Sequence, residues 1–238
     1  MTATQVALIT GASRGLGLEI ARLYAQRGMR LVVTARDVAP LRRAADELAL
    51  IADVIAIAGD VAKPEHARRL VAAGLERFGR VDMLINNASE LGPSPMPELE
   101  HLPLQAFEDV LRVNVVAPLG LTQLVLPGMR ARGSGLIVNV TSDAGVQAYP
   151  TWGGYGASKA ALEHLSRVLA AELEGTGVRV FVVDPGDMDT AMHRAAEPGV
   201  DLSHLPGPAV VAPAFVQLLD EEAPFGRFEA QRLVAVPA

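Results

Sequence analysis

Val6-Ala7-Leu8-Ile9-Thr10-Gly11-Ala12-Ser13-Arg14-Gly15-Leu16-Gly17 is the stretch on which the fold turns. An apolar run from Val6 to Thr10 passes straight into glycines spaced G-x-x-x-G-x-G, and a helix-forming segment, Gly15 to Arg27, comes next. A strand that ends in glycines at the entry to a helix suits an anion. The glycines let the main chain come close to a diphosphate, and the helix N-terminus offers unpaired N–H groups and the positive end of its dipole. Neither a G-x-G-x-x-G turn nor a P-loop has this spacing, and no Gly-Lys-Ser/Thr succeeds it. Gly11, Ser13, Arg14, Gly15, Leu16 and Gly17 are the candidate contacts to a nucleotide.

Beyond this turn, short apolar runs recur at Arg30 to Ala35, Asp53 to Ala58, Val81 to Asn86, Gly135 to Val140 and Val178 to Val183. Runs apolar at almost every position predict strands buried on both faces of a parallel sheet. The segments between them, such as Pro64 to Phe78 and Tyr155 to Glu174, place apolar residues three and four apart, as helices do. Gly28, Gly79 and Gly175 fall where those helices should end. The alternation predicts an α/β fold, a single Rossmann-like doubly wound domain over 1–238, with helices on both faces of an about seven-stranded, mainly parallel sheet. After Val183 the rhythm breaks into a stretch rich in Pro, Gly and Asp, from which a substrate loop is expected at about 187–212, with a possible edge strand later, near Arg232 to Val236.

Bulk properties narrow the function. A chain of 238 residues, half of them hydrophobic and a fifth charged, builds one large folded domain. The formal net charge of −6 argues against a nucleic-acid partner. With no cysteine, and with His66, His101, His164, His193 and His204 scattered, no metal site is expected. No signal-like N-terminus and no apolar run of about 18 residues is evident, so a cytoplasmic protein without membrane contact is expected.

The end of the second strand reads Thr34-Ala35-Arg36-Asp37. A site for NAD(H) places a carboxylate there for the ribose 2′-hydroxyl, whereas a 2′-phosphate calls for a guanidinium. Arg36, helped by Arg14, points to NADP(H), with NAD(H) still possible. Asp37 reads as a capping or solvent-facing residue.

Tyr155-Gly156-Ala157-Ser158-Lys159 opens a helix, and a spacing of four puts phenol and ammonium on one face. A phenol of pKa about 10 needs stabilisation of its ionised form to exchange protons near neutrality, which a neighbouring ammonium supplies. Only two lysines, Lys63 and Lys159, occur among the 21 basic residues, so Lys159 is not filler. Ser142, just beyond the fifth strand, faces the crevice where doubly wound sheets bind ligands, and its hydroxyl can polarise a substrate oxygen. A hydrolytic use of Ser142 fails, because no G-x-S-x-G elbow surrounds it.

In combination these motifs resemble the short, single-domain branch of the short-chain dehydrogenase/reductase family from the first strand to about Thr190. Thr10-Gly11-x-x-x-Gly15-x-Gly17 is similar to its cofactor turn, Asn86-Asn87-Ala88 to its fourth-strand motif, and Val113-Asn114-Val115 to its helix asparagine. The resemblance implies adenine contact at Asp60, further cofactor contact at Val61, Asn87, Ala88, Tyr155 and Lys159, and nicotinamide contact along Pro185, Gly186, Met188 and Thr190. It implies a catalytic set of Asn114, Ser142, Tyr155 and Lys159, in which Asn114 holds a water linking the lysine to solvent.

The resemblance also implies an NADP(H)-dependent oxidoreductase that moves hydride between nicotinamide and a small-molecule carbonyl or alcohol, such as a carbonyl reductase or a 3-oxoacyl-thioester reductase. The alternative is a non-catalytic NADP(H)-binding sensor or structural protein. Ser89 departs from the family's usual glycine, and Asp143 reads either as an acid near the presumed pocket or as a turn residue facing solvent. Glu90, Leu91, Val146, Gln147, Tyr149, Trp152, Met188, Met192 and His193 are candidate pocket residues. Apolar character on several faces of Leu104 to Met129 and Tyr155 to Glu174 predicts a homodimer or homotetramer.

Overall fold

The computed structural model describes residues 4–234. Strands β1 (Val6–Thr10), β2 (Arg30–Thr34), β3 (Val54–Ala56), β4 (Met83–Asn86), β5 (Gly135–Val140), β6 (Val178–Asp184) and β7 (Phe225–Glu229) form one sheet in the order β3-β2-β1-β4-β5-β6-β7. Every pairing is parallel. The order reverses at β1, so the chain's first turn and the turn after β4 diverge from a crevice at the strands' C-terminal ends, where open α/β sheets bind ligands.

Helices α1 (Gly15–Gln26), α2 (Val38–Leu48), α3 (Pro64–Phe78), α4 (Leu104–Leu111), α5 (Ala117–Arg132) and α6 (Gly153–Glu172) supply the crossovers. Alternation along β1 shows why the strand had to be apolar throughout. Ala7 and Ile9 pack into one core with Tyr24 of α1 and Phe215, whereas Val6 and Leu8 pack into the other with Leu70 of α3 and Val125 of α5. A fully buried side chain the size of Val, Leu or Ile contributes about 1.5–3 kcal/mol. Gly28, Gly79 and Gly175 adopt the left-handed conformation at the expected helix ends.

Two expectations are corrected. The edge strand lies at Phe225–Glu229, while Ala230–Leu233 forms a short helix that overlaps the start of the stretch assigned to a strand; positions 235 and 236 lie outside the described residues. Arg-Leu-Val reads as strand locally, but the partner edge of β6 ends opposite Glu229. A span-length apolar helix also exists: α4, a π turn at Arg112–Val116 and α5 run together over Leu104–Arg132, long and apolar enough by length and composition to cross a membrane. Its inner face packs on α3, α6, β4 and β5, as a core helix of a doubly wound sheet does.

Candidate active site

Thr10 stitches the cleft together at its base. Its hydroxyl accepts from the main-chain N–H groups of Asn87 and Ala88 at 3.0 and 2.9 Å, and Asn87 Nδ2 donates back to Thr10 O at 2.9 Å. The ends of β1 and β4 are thereby locked side by side, which explains why Thr-Gly and Asn-Asn-Ala occur at matching strand ends.

Gly11 has φ +68°, and a Cβ there would lie 2.8 Å from Asn87 Nδ2. Gly15, at φ +59° and the first residue of α1, has open space where its Cβ would point. No acidic residue stands in the first turn of α1, and its cap residue, Arg14, makes no side-chain cap bond, so the helix N-terminus is presented to the cleft without a competing anion. This cradle fits a diphosphate. Gly17 is corrected: it is buried and outside the cleft lining, and a Cβ on it would meet Gly11 O and Asn87 Nδ2 at 2.5 Å, so it serves close packing beneath the turn.

One cleft of about 730 Å³ brings together the remaining predicted contacts. Gly11, Ser13, Arg14, Gly15 and Leu16 line it from the first turn, Arg36 from the end of β2, and Asp60 and Val61 from beyond β3. Asn87 and Ala88 line it after β4, Ser142 after β5, Tyr155 and Lys159 on α6, and Pro185, Gly186, Met188 and Thr190 after β6. Asp37 is exposed at the cap of α2 and makes no cap hydrogen bond, so only the solvent-facing half of its expectation holds. Thr190 Oγ1 accepts from His193 N at 3.1 Å and caps α7 (Ala191–Ala196), a role the resemblance did not imply.

Of the candidate pocket residues, Glu90, Leu91, Trp152, Met188, Met192 and His193 line the cleft; Val146, Gln147 and Tyr149 stand outside it, exposed. Asp143 is not a free turn residue. Its carboxylate accepts from Ser142 Oγ at 2.9 Å, from Ala144 N at 2.8 Å and from the Tyr149 hydroxyl at 2.7 Å, and so holds the Ser142 side chain.

Asn114 is buried behind the cleft in the π turn, a local geometry common at functional sites. Its amide is fully employed by protein: Oδ1 accepts from Glu90 N at 2.7 Å and Ser89 Oγ at 3.1 Å, and Nδ2 donates to Glu90 O at 2.8 Å and Ser158 Oγ at 2.9 Å. Ser158 Oγ in turn donates to Tyr155 O at 2.6 Å. Ser89, the departure from the family's glycine, is thus a hydroxyl contact to Asn114.

The expected effect of Lys159 on Tyr155 is corrected by burial. Burial pushes the Tyr155 phenol well above its ordinary value, while the neighbouring Ser89 and Ser142 hydroxyls oppose the rise and the Asp184 and Asp143 charges add to it. The same burial lowers Lys159 to about 8, with Asp184 resisting. Lys159 Nζ, 5.3 Å from the centre of the Tyr155 ring, donates to Val140 O at 2.9 Å. Burial shifts each group toward its neutral form, which keeps Tyr155 a phenol, while Lys159 with its pKa near 8 stays mostly protonated at neutral pH.

A buried polar web behind these residues went unread in the sequence. Asn86 Nδ2 donates to Asn139 Oδ1 at 2.7 Å and Asn139 Nδ2 to Ser166 Oγ at 2.8 Å, tying β4, β5 and α6. Glu163 accepts from Thr141 Oγ1 at 2.9 Å and pairs with Arg227 of β7 at 3.2 Å, which also reaches Asp184 at 3.3 Å. His66 Nε2 lies 2.8 Å from Thr34 Oγ1, whose proton goes to Ile57 O, so the ring donates there; burial lowers its pKa. The only sequence signals were single polar residues inside apolar runs, such as Asn139 in β5.

The geometry defines a dinucleotide-dependent oxidoreductase of the doubly wound type. The family described as short chain dehydrogenase matches residues 5–201, and this chain belongs to it. A 3-oxoacyl-[acyl-carrier-protein] reductase of rhamnolipid biosynthesis from Pseudomonas aeruginosa is 38% identical over 201 residues, which cover 81% of this chain and 76% of that protein. A solved short chain dehydrogenase from Pseudomonas syringae superposes with a TM-score of 0.90 at 35% identity, covering 96% of this chain and 95% of that one. Another, from Shigella flexneri and complexed with NADP, gives 0.86 at 30% identity, covering 96% and 98%. The chain is an oxidoreductase of this family.

Proposed function

We propose that the protein is an NADP(H)-dependent reductase of a small carbonyl compound, with Asn114, Ser142, Tyr155 and Lys159 as its working set. The observation that carries this reading is the convergence of Tyr155, Ser142 and Lys159 on the same cleft as the glycine cradle and Arg36. NADPH, when bound, supplies the hydride. Gly11, Gly15 and the start of α1 would hold its diphosphate, Arg36 and Arg14 would meet its 2′-phosphate, and Asp60 and Val61 would lie on the adenine side. The NADP-bound Shigella flexneri relative supports the cofactor assignment.

Tyr155 donates its proton to the substrate oxygen as that oxygen gains negative charge. A phenol held neutral by burial suits the reducing direction, since it arrives at the reaction as a donor. Ser142 hydrogen-bonds the same oxygen by turning its hydroxyl from Asp143. Lys159 stabilises the phenolate left behind, and its pKa near 8 lets it return the proton near neutral pH. Asn114 acts through others, fixing Ser89, Glu90 and Ser158 around the tyrosine.

The segment at 187–212 is proposed as the substrate loop, because Met188, Met192 and His193 of that segment line the cleft. Exposed Leu104, Val116 and Leu119 on the α4–α5 run and Leu165 and Val168 on α6 support assembly through these helices into a dimer or tetramer.

The test is a fluorescence titration of the purified protein with NADPH and NADH, then a carbonyl and alcohol panel on the protein and on Tyr155→Phe. NADPH preference with turnover lost in the variant is expected. Tight NADPH binding without reduction of any carbonyl would favour a sensor instead.

A further inference from the structure

Arg36 and Glu90 form an ion pair at 2.7 Å, one from each lip of the cleft. Arg36 lies two positions beyond β2 and Glu90 four beyond β4. Because β2 and β4 flank β1, the pair spans the ground above the turn after β1, where the glycine cradle lies. Its two ends differ in freedom. The Glu90 main chain is clamped on both sides, its N–H donating to Asn114 Oδ1 at 2.7 Å and its carbonyl accepting from Asn114 Nδ2 at 2.8 Å. The Arg36 side chain is 62% exposed, and nothing besides Glu90 holds it among the hydrogen bonds and ion pairs of the described residues.

We infer that Glu90 competes with the cofactor for the Arg36 guanidinium and so tempers the preference for NADPH, because a ligand bringing its own anion to the end of β2 must draw the guanidinium away from the carboxylate. The inference rests on the NADP(H) reading above. NADPH carries a phosphate that replaces the carboxylate as partner of the guanidinium, and the exchange trades one charge-assisted contact for another. NADH offers a neutral hydroxyl at that position, so Arg36 gains nothing by leaving Glu90. NADPH affinity is therefore scaled down to the fraction of time Arg36 is free of Glu90, as for any ligand whose competent state is partly populated. NADH affinity is independent of it.

Nicotinamide fluorescence titrations of the full chain, Glu90→Gln and Glu90→Ala with NADPH and with NADH, at low salt and at high salt, test this. Since exposed pairs couple weakly, both variants should tighten NADPH about two- to fivefold at low salt, with NADH unchanged and the gain shrinking at high salt. Unchanged NADPH affinity in both variants, or equal tightening of both cofactors, overturns the inference. Arg36→Ala separates the two levels. If it weakens NADPH while the Glu90 variants do nothing, the Glu90 role alone falls; if it binds NADPH as tightly as the parent, the 2′-phosphate reading falls with it.

Discussion

At the floor of the cleft Asn114, Tyr155 and Lys159 are 1, 9 and 2% exposed and are held by named hydrogen bonds to the β4 turn, β5 and α6. At its mouth Arg36 and Arg194 stand in solvent, each held by a single ion pair, to Glu90 and to Asp189. Chemistry and selectivity therefore reside in different places, for a physical reason. Proton transfer needs atoms placed to fractions of an ångström, and only packed elements do that. Choice among cofactors and substrates tolerates looser geometry, since it rests on charge and shape summed over exposed side chains.

The largest effects are expected at the floor. Tyr155→Phe should lower turnover by about a thousandfold or more while NADPH affinity stays within about threefold, as measured by steady-state kinetics and fluorescence titration. Comparable losses in both would mean that the hydroxyl supports the cofactor site and not the chemistry.

Lys159→Met asks whether the floor is built against stability. The folded-state pKa of Lys159 is depressed to about 8 from 10.5, so protonated Lys159 carries its full burial penalty below about 8, and the penalty fades as pH rises toward 10.5. The variant should lose turnover yet melt several degrees higher at pH 7, a gain of roughly 1–3 kcal/mol. That advantage should narrow between pH 8 and 10.5 in a series of thermal scans.

Toward the mouth, Arg36→Ala should weaken NADPH about tenfold and leave NADH nearly unaffected in the same titration. The Glu90 variants sit below it, a few-fold in the opposite direction. On the outer helices, sedimentation velocity should give a dimer or tetramer. Leu104→Glu, at a position 79% exposed, should shift that equilibrium toward monomer without changing NADPH affinity; an unshifted distribution would remove α4 from the interface.

Much of the floor was legible in advance because it is written in short-range patterns. The glycine turn, the four-residue spacing of Tyr155 and Lys159, and the continuous apolar runs each reflect local geometry, and six of the seven strands fall where those runs lie. The seventh was misplaced, since Phe225–Glu229 alternates no more clearly than Arg232 to Val236 and only the free edge of β6 selects it. Gly17 looked like a ligand contact because glycine spacing does not say which residues face out. Asp143 stays open in the sequence between a pocket acid and a turn residue, because its three donors include Tyr149, six positions away.

Residues within a few positions of one another were enough to specify the buried strands of the sheet, the glycine turn and the pair proposed to transfer the proton, so the amino-acid sequence alone carried them. What those residues feel was set only when the chain closed on itself. Burial raised the Tyr155 phenol where Lys159 was expected to lower it, the crossing of α6 over β5 enclosed Lys159, and the switch in strand order at β1 set Arg36 opposite Glu90. Desolvation and through-space charge depend on every element that closes over a group, and no local pattern records them.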